Sequence, residues 1–266
     1  MSAEDIRFAQ LAWRGRPLRL EYQWVGDAAS KLPPVVFLHE GLGSIAMWKD
    51  FPARFCDEHG LRGLVFSRYG YGRSTPKPAD EHWTPAFMHA QAHEVLPLLF
   101  NELGVERPWL FGHSDGGSIA LLHAAKFNVA GIVVVAPHLF VEDISIASIE
   151  QARIAYETTD LRARLARHHA DPDSAFRGWN DIWLNPAFRG WNIEAELATI
   201  SCPALAVQGA DDEYGTLAQI RGIQVRLPET RLLVIPKCGH SPHRDQPALL
   251  SAEAGRFILE NSTSPS

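Results

Sequence analysis

The chain has 266 residues, of which 46% are hydrophobic and 21% charged, a balance that suits one large globular domain and excludes a disordered chain. The net charge of -6 and the pI near 6.0 leave no Lys/Arg cluster to neutralise a phosphate backbone, so no nucleic-acid partner is expected. Cys56, Cys202 and Cys238 are an odd, widely spaced set that predicts no disulfide framework. There is also no secretory or membrane-spanning apolar run, so the expectation is a cytoplasmic protein without a membrane partner.

The acidic start, Met1 to Asp5, leads into a strand pattern. Ile6 and Phe8, then Leu18, Leu20, Tyr22 and Trp24, alternate with polar residues around Gly15 and predict an antiparallel hairpin at a sheet edge. The pattern then turns parallel. Runs at 35–38, 63–66, 109–111 and 131–135 are short and continuously apolar, as strands covered on both faces are. Between them the clearest helix starts at Thr84-Pro85, with Met88, Ala92, Val95, Leu96, Leu99 and Leu103 on one face and a kink expected at Pro97. No strand interrupts the mostly helical stretch 138–199, which holds Ile146, Ile149, Ile154, Trp179, Trp183 and Trp191. In it Ala-Phe-Arg-Gly-Trp-Asn occurs at 175–180 and again at 187–192, two similar aromatic packing units. Two more strand-like runs follow, at 204–209 and 231–236, and residues 261–266 are expected to form a frayed tail. Strands alternating with helices predict an α/β fold, a mostly parallel twisted sheet flanked by helices, with its site at the carboxyl ends of the strands.

Three motifs carry chemistry. Gly112-His113-Ser114-Asp115-Gly116 is a G-x-S-x-G pentapeptide between a buried strand and a helix, which places Ser114 on a tight turn with its hydroxyl projecting. A serine hydroxyl is a weak nucleophile and needs a histidine base held by a carboxylate. The run 204–209 ends in Ala210-Asp211-Asp212-Glu213 and the run 231–236 in Lys237-Cys238-Gly239-His240, so two strand ends deliver Asp and then His in the order that chemistry uses.

With these motifs in order and spacing, the chain resembles the α/β-hydrolase superfamily over essentially its whole length. The resemblance implies Ser114 as nucleophile, His240 as general base and acid, and Asp212, which fits the family's G-x-x-D, as the orienting acid, with Asp211 the alternative. It implies an α/β-hydrolase core over 1–137 and 200–260, with 138–199 inserted as a helical cap. An oxyanion needs two backbone donors. Asp115 supplies one; the loop His39-Glu40-Gly41-Leu42-Gly43-Ser44 supplies the other, Gly41 first and Leu42 second, although Glu40 stands where relatives usually have glycine.

Glu40, Leu42, Trp179 and Trp183 are the expected substrate-binding residues, the tryptophans having an equal claim to a purely packing role. Ser-Asp-Gly-Gly is similar to valacyclovir hydrolase, and with Glu40 and Asp115 so close a cationic substrate is one option; the other is that Glu40 pairs with Arg68 or Arg73 and Asp115 gives only its N–H. His39, His113, His168 and His169 read as local hydrogen-bonding or surface groups, and the loop 68–74 as structural, with turns at Gly70 and Gly72. His243 competes with His240 as the base. Cys238, His240 and His243 meet no fixed zinc spacing, so no metal is expected.

The resulting expectation is a cofactor-independent serine hydrolase, a monomer or homodimer similar to carboxylesterase-like members, that cleaves a small ester or related acyl substrate through an acyl-enzyme on Ser114. Alternatives on the same triad are a C–C bond hydrolase, a lactonase, an amidase or a slow-turnover ligand-binding receptor. Serine at the nucleophile position disfavours the dehalogenase and epoxide hydrolase chemistry that the family performs with aspartate.

Overall fold

The computed structural model describes residues 6–262; the acidic start at 1–5 lies outside them. Strand β1 (Arg7–Trp13) pairs antiparallel with β2 (Arg16–Gly26) through a two-residue turn, Arg14-Gly15. Both turn residues have positive φ, 51° and 75°, the twist that a tight hairpin requires. Strand β3 (Val35–Leu38) precedes α1 (Phe51–His59) and β4 (Arg62–Phe66), and β4 pairs antiparallel with β2, so β1 and β2 form the antiparallel edge. Strands β3, β4, β5 (Trp109–His113), β6 (Gly131–Val135), β7 (Ala204–Gly209) and β8 (Arg231–Ile235) run parallel, in the order β1-β2-β4-β3-β5-β6-β7-β8.

Period-two alternation splits the core into two layers. Val36, Leu38, Leu64, Phe66, Leu110, Ile132, Val134 and Ala206 face one side; Val35, Phe37, Val65, Trp109, Phe111, Val133, Val135 and Val207 face the other. The central strands are buried on both faces, which is why they read as unbroken apolar runs. Helix α1 and the C-terminal helix, introduced below, cover the second layer.

The helix expected from Thr84-Pro85 begins at Phe87 instead and is not uniform. It runs as α2 (Phe87–Ala90), a π-helical turn (Gln91–Val95) and α3 (Leu96–Leu103), whose second residue is Pro97. Pro97 has no N–H to give the turn before it, and the wider π turn accommodates that loss in place of a sharp kink. Helix α4 (Asp115–Ala124) is buried along its whole length under the first layer.

Between β6 and β7 lie α5 (Asp143–Thr158), α6 (Leu161–Leu165), α7 (Pro172–Trp183) and two short 3-10 turns (Pro186–Phe188 and Glu196–Thr199), with no strand among the named elements. The repeated hexapeptide takes two conformations. Its first copy lies within α7; its second spans the turn Pro186–Phe188 and the loop after it. What the copies share is burial: Phe176 stacks on Tyr156 at 3.8 Å, and Phe188 lies against Trp183 and Trp191. Asn180 of the first copy is buried, accepting from Arg153 and donating to the Ile149 carbonyl, whereas Asn192 of the second is exposed. After β7 come α8 (Ala218–Arg226), β8, the short α9 (Pro242–Asp245) and α10 (Pro247–Ser262). Asn261 and Ser262, expected to open a frayed tail, are the last residues of α10, and Ser262 accepts from the Trp109 indole at 2.9 Å; residues 263–266 lie outside the described region.

Candidate active site

Ser114 sits between β5 and α4 with φ 53° and ψ -122°, a backbone region that a residue with a side chain enters only under local constraint. The constraint is the close approach of β5, α4 and β3. A Cβ on Gly112 would fall 2.3 Å from the Gly116 carbonyl oxygen, and one on Gly116 would fall 2.1 Å from that of Leu38. Glycine at both positions is therefore a packing requirement. The turn is closed by the Gly117 and Ser118 N–H groups donating to the Ser114 carbonyl at 2.8 and 3.1 Å.

His240 follows β8, the strand at the far edge of the sheet. Its Nε2 lies 2.9 Å from Ser114 Oγ and its Nδ1 2.8 Å from Asp212 Oδ1, so one imidazole bridges hydroxyl and carboxylate. Asp212, on the loop after β7, also accepts from the Tyr214 N–H at 2.8 Å and from Gln208 Nε2 at 3.1 Å. Burial works against its charge, but the His240 hydrogen bond and the Tyr214 N–H outweigh it and hold the carboxyl below its ordinary range. Asp211 is exposed and its N–H donates to the Cys238 carbonyl. Geometry thus singles out Asp212 of the adjacent pair, and His240 over His243. His243 is buried against Trp48, Phe51 and His113, with both ring nitrogens unpartnered.

The backbone N–H groups of Asp115, Gly41 and Leu42 donate to no other group among the described residues. Asp115 is the first residue of α4, where the N–H groups are free and the helix dipole is positive. The loop of Gly41 is braced by Gly43 N–H donating to the Glu40 carbonyl, and by His169, whose Nε2 lies 3.1 Å from the Leu42 carbonyl. Trp179 covers Gly41 so closely that a Cβ there would meet the indole at 2.2 Å.

A cavity of about 150 Å³ opens on Ser114 and His240 and is lined also by Glu40, Gly41, Leu42, Asp115, Trp179 and Trp183. The two tryptophans are one helical turn apart on α7 and so share a face. Of the residues expected as triad, oxyanion donors or substrate contacts, all but Asp212 touch this cavity, and Asp212 lies behind His240.

The Asp115 side chain is fully buried and does more than leave its N–H free. One oxygen accepts from Trp183 Nε1 at 3.2 Å, and the other lies 3.9 Å from the buried Arg68 guanidinium; burial outweighs both and pushes the carboxyl up to about 6. Glu40 pairs with neither Arg68 nor Arg73 through its carboxylate. Arg68 donates to the Glu40 backbone carbonyl, Arg73 is exposed, and the carboxylate faces Arg244 at 3.5 Å and His113 at 3.6 Å.

His113, His138, Tyr214 and Arg244 line or flank the cavity and were missed, or set aside, in the sequence. His138 is fully buried, pushed down to about 3 by that burial and by His240 nearby, and lies edge-on to Trp183. The Tyr214 ring lies 4.7 Å from that of His240. Tyr214 follows Asp212 by two residues and Arg244 follows His240 by four, so spacing around the motifs was the available signal. Among the described residues no group of three or more His, Cys, Asp or Glu is placed to hold a metal, and no helix is long and apolar enough to cross a membrane.

The profile of the Alpha/beta hydrolase family matches residues 35–253. The chain belongs to that family. Among curated relatives, a protein of Pseudomonas savastanoi pv. phaseolicola named "Putative carbamate hydrolase RutD" is 29% identical over 80% of this chain and 89% of its own length. A proline iminopeptidase of Levilactobacillus brevis is 23% identical, over 91% of this chain and 94% of its own. Among solved structures, a thermophilic esterase from Thermogutta terrifontis superposes with a TM-score of 0.71 at 20% identity, covering 97% of this chain and all of that one, a likeness of fold. The family and these three proteins support a hydrolase activity.

Proposed function

We propose that this α/β hydrolase is a cofactor-independent serine hydrolase that cleaves a small ester or related acyl substrate through an acyl-enzyme on Ser114. The observation that carries the reading is the single imidazole of His240 bridging Ser114 Oγ at 2.9 Å and Asp212 Oδ1 at 2.8 Å. The Asp212 carboxylate fixes the Nδ1–H tautomer and leaves the Nε2 lone pair for the serine proton. Ser114 Oγ bonds to the substrate carbonyl carbon as its proton passes to His240 Nε2. The oxyanion is taken up by the Asp115 N–H and that of Gly41, with Leu42 the alternative. Collapse breaks the bond to the leaving group, which departs with the proton from His240. Water then repeats the sequence on the acyl-enzyme and restores Ser114.

The volume of about 150 Å³ and the walls of Trp179, Trp183 and Leu42 favour a small, apolar acyl group. Glu40 forms a wall whose charge already faces Arg244 and His113, and the Asp115 carboxylate faces Arg68, so neither acid favours a cationic substrate over a neutral one. The stretch 138–199 acts as the cap, since α7 brings Trp179 and Trp183 over Gly41 and Ser114.

Steady-state hydrolysis of 4-nitrophenyl acetate and longer-chain homologues by the wild type, Ser114→Ala and His240→Ala tests the proposal, alongside labelling by a fluorophosphonate. Turnover that favours the short esters and is lost in both variants, with label on Ser114, is expected. An inactive, unlabelled wild type, or turnover that survives Ser114→Ala, overturns it.

A further inference from the structure

We infer that Glu40 is a positioning residue that couples the oxyanion loop to the His240 loop, so that the two halves of the catalytic machinery are set by one carboxylate. The inference rests on the serine-hydrolase reading and adds a role for the residue that departs from the family's glycine.

Two side chains, His113 and Arg244, converge on the Glu40 carboxylate. His113, buried at the end of β5, places its Nε2 2.7 Å from the His240 carbonyl oxygen. A carbonyl only accepts, so Nε2 carries a proton and His113 donates to the backbone of the residue that serves as base. The other ring nitrogen, Nδ1, has no hydrogen-bond partner within normal reach and lies 3.6 Å from Glu40 Oε2. On the far side of His240, Arg244 of α9 places Nη2 3.5 Å from Glu40 Oε1 and 3.3 Å from the Met47 carbonyl. Glu40 therefore touches the His240 segment from both ends, through His113 to its carbonyl and through Arg244 to the helix that follows.

The carboxylate is also folded over its own loop. A Cβ on Gly43 would lie 2.5 Å from Glu40 Oε2, so a glycine at 43 is what lets the side chain turn inward beneath the loop that carries Gly41. Burial opposes the charge on Glu40, but His113, His243 and His39 around it hold its carboxyl well below the usual range, so the carboxylate stays ionised. A part-buried carboxylate that faces His113 from the end of β5 and Arg244 from α9 resists displacement, because moving away from the guanidinium leaves its charge unpaired in a poorly solvated site.

The test compares Glu40→Gln, which keeps shape and removes charge, with His113→Gln and His113→Leu. Gln at 113 can still donate to the His240 carbonyl and Leu cannot. Each variant is assayed with a neutral short ester well below its melting temperature, with turnover expressed per fluorophosphonate-reactive site. Expected are a kcat lowered about 10- to 100-fold in Glu40→Gln with KM within about twofold, a matching drop in labelling rate, and kcat in His113→Gln above that in His113→Leu. A Glu40→Gln enzyme with wild-type kcat overturns the inference, as does one whose only defect is a raised KM for cationic esters, which makes Glu40 a substrate contact. Equal kcat in the two His113 variants overturns it even where Glu40→Gln fails to fold. Should the wild type itself be unlabelled and inactive, it is the serine-hydrolase reading that fails.

Discussion

Gly41→Ala adds one methyl group at the junction of the oxyanion loop and the helical insertion. The new Cβ falls 2.2 Å from both Cδ1 and Nε1 of Trp179, where ordinary contact begins near 3.4 Å, so ring or loop must retreat by about 1 Å. Gly41 does not have positive φ, so alanine brings no backbone strain and the whole effect is steric. Trp179 is only 7% exposed and rests against Phe176, leaving the shorter loop as the part that yields. Overpacking of this kind costs about 1–3 kcal/mol, and each kcal/mol lowers the melting temperature of a chain this size by about 2–4 °C. A loop shift of about 1 Å at an oxyanion donor lowers kcat by about 10²-fold. The assay is ester turnover and thermal melting of Gly41→Ala, Trp179→Leu and the double variant. Removing the ring relieves the clash, so kcat of the double variant should return to that of Trp179→Leu alone. A Gly41→Ala enzyme with wild-type kcat and melting temperature refutes the reasoning, as does a double variant whose losses simply add.

Asp212→Asn should lower kcat by about 10⁴-fold, because the amide no longer enforces the Nδ1–H tautomer, whereas Asp211→Asn, at an exposed position, should stay within about twofold; comparable losses in both would reassign the acid. Ser114→Gly should abolish turnover yet raise the melting temperature by about 2–4 °C, since glycine relieves φ 53° at a net gain of about 1 kcal/mol; an unchanged or lower melting temperature would show that the elbow stores no strain. Burial pushes His123 and His169 down to about 4 and His138 to about 3. As pH falls below about 6.5 the unfolded chain takes up these protons first, so stability is full above that pH and is lost progressively towards pH 4. Asp115, raised to about 6, works the other way as one group against three, and Asp212, held low, keeps its contribution until the pH falls below the ordinary carboxylate range. Melting curves from pH 8 to 4.5 check this; a transition that does not move between pH 7 and 5 would contradict it.

Local rules were enough for the elbow and the strands. Gly112 and Gly116 announce a close backbone approach, the apolar runs announce strands covered on both faces, and strand ends followed by Asp and His announce where the side chains emerge, all within a few residues of chain. Where the spelling left two candidates, the sequence had no means of choosing. Asp211 and Asp212 differ only in which way one loop residue turns, and that is decided by Gln208, Tyr214 and His240, the last 28 residues away. For the same reason Arg244 is not among the partners that the sequence offers Glu40, since it lies 204 positions further on and reaches the carboxylate from α9. The repeated hexapeptide makes the point within one chain: six identical residues are helical where α7 continues on both sides, and a turn with a loop where they follow Asn185-Pro186. Sequence by itself determined the strands and the elbow, because period, glycine and motif spacing act over short range. Tertiary structure alone decided which charges meet, because an ion pair forms where distant loops converge and no local pattern records that convergence.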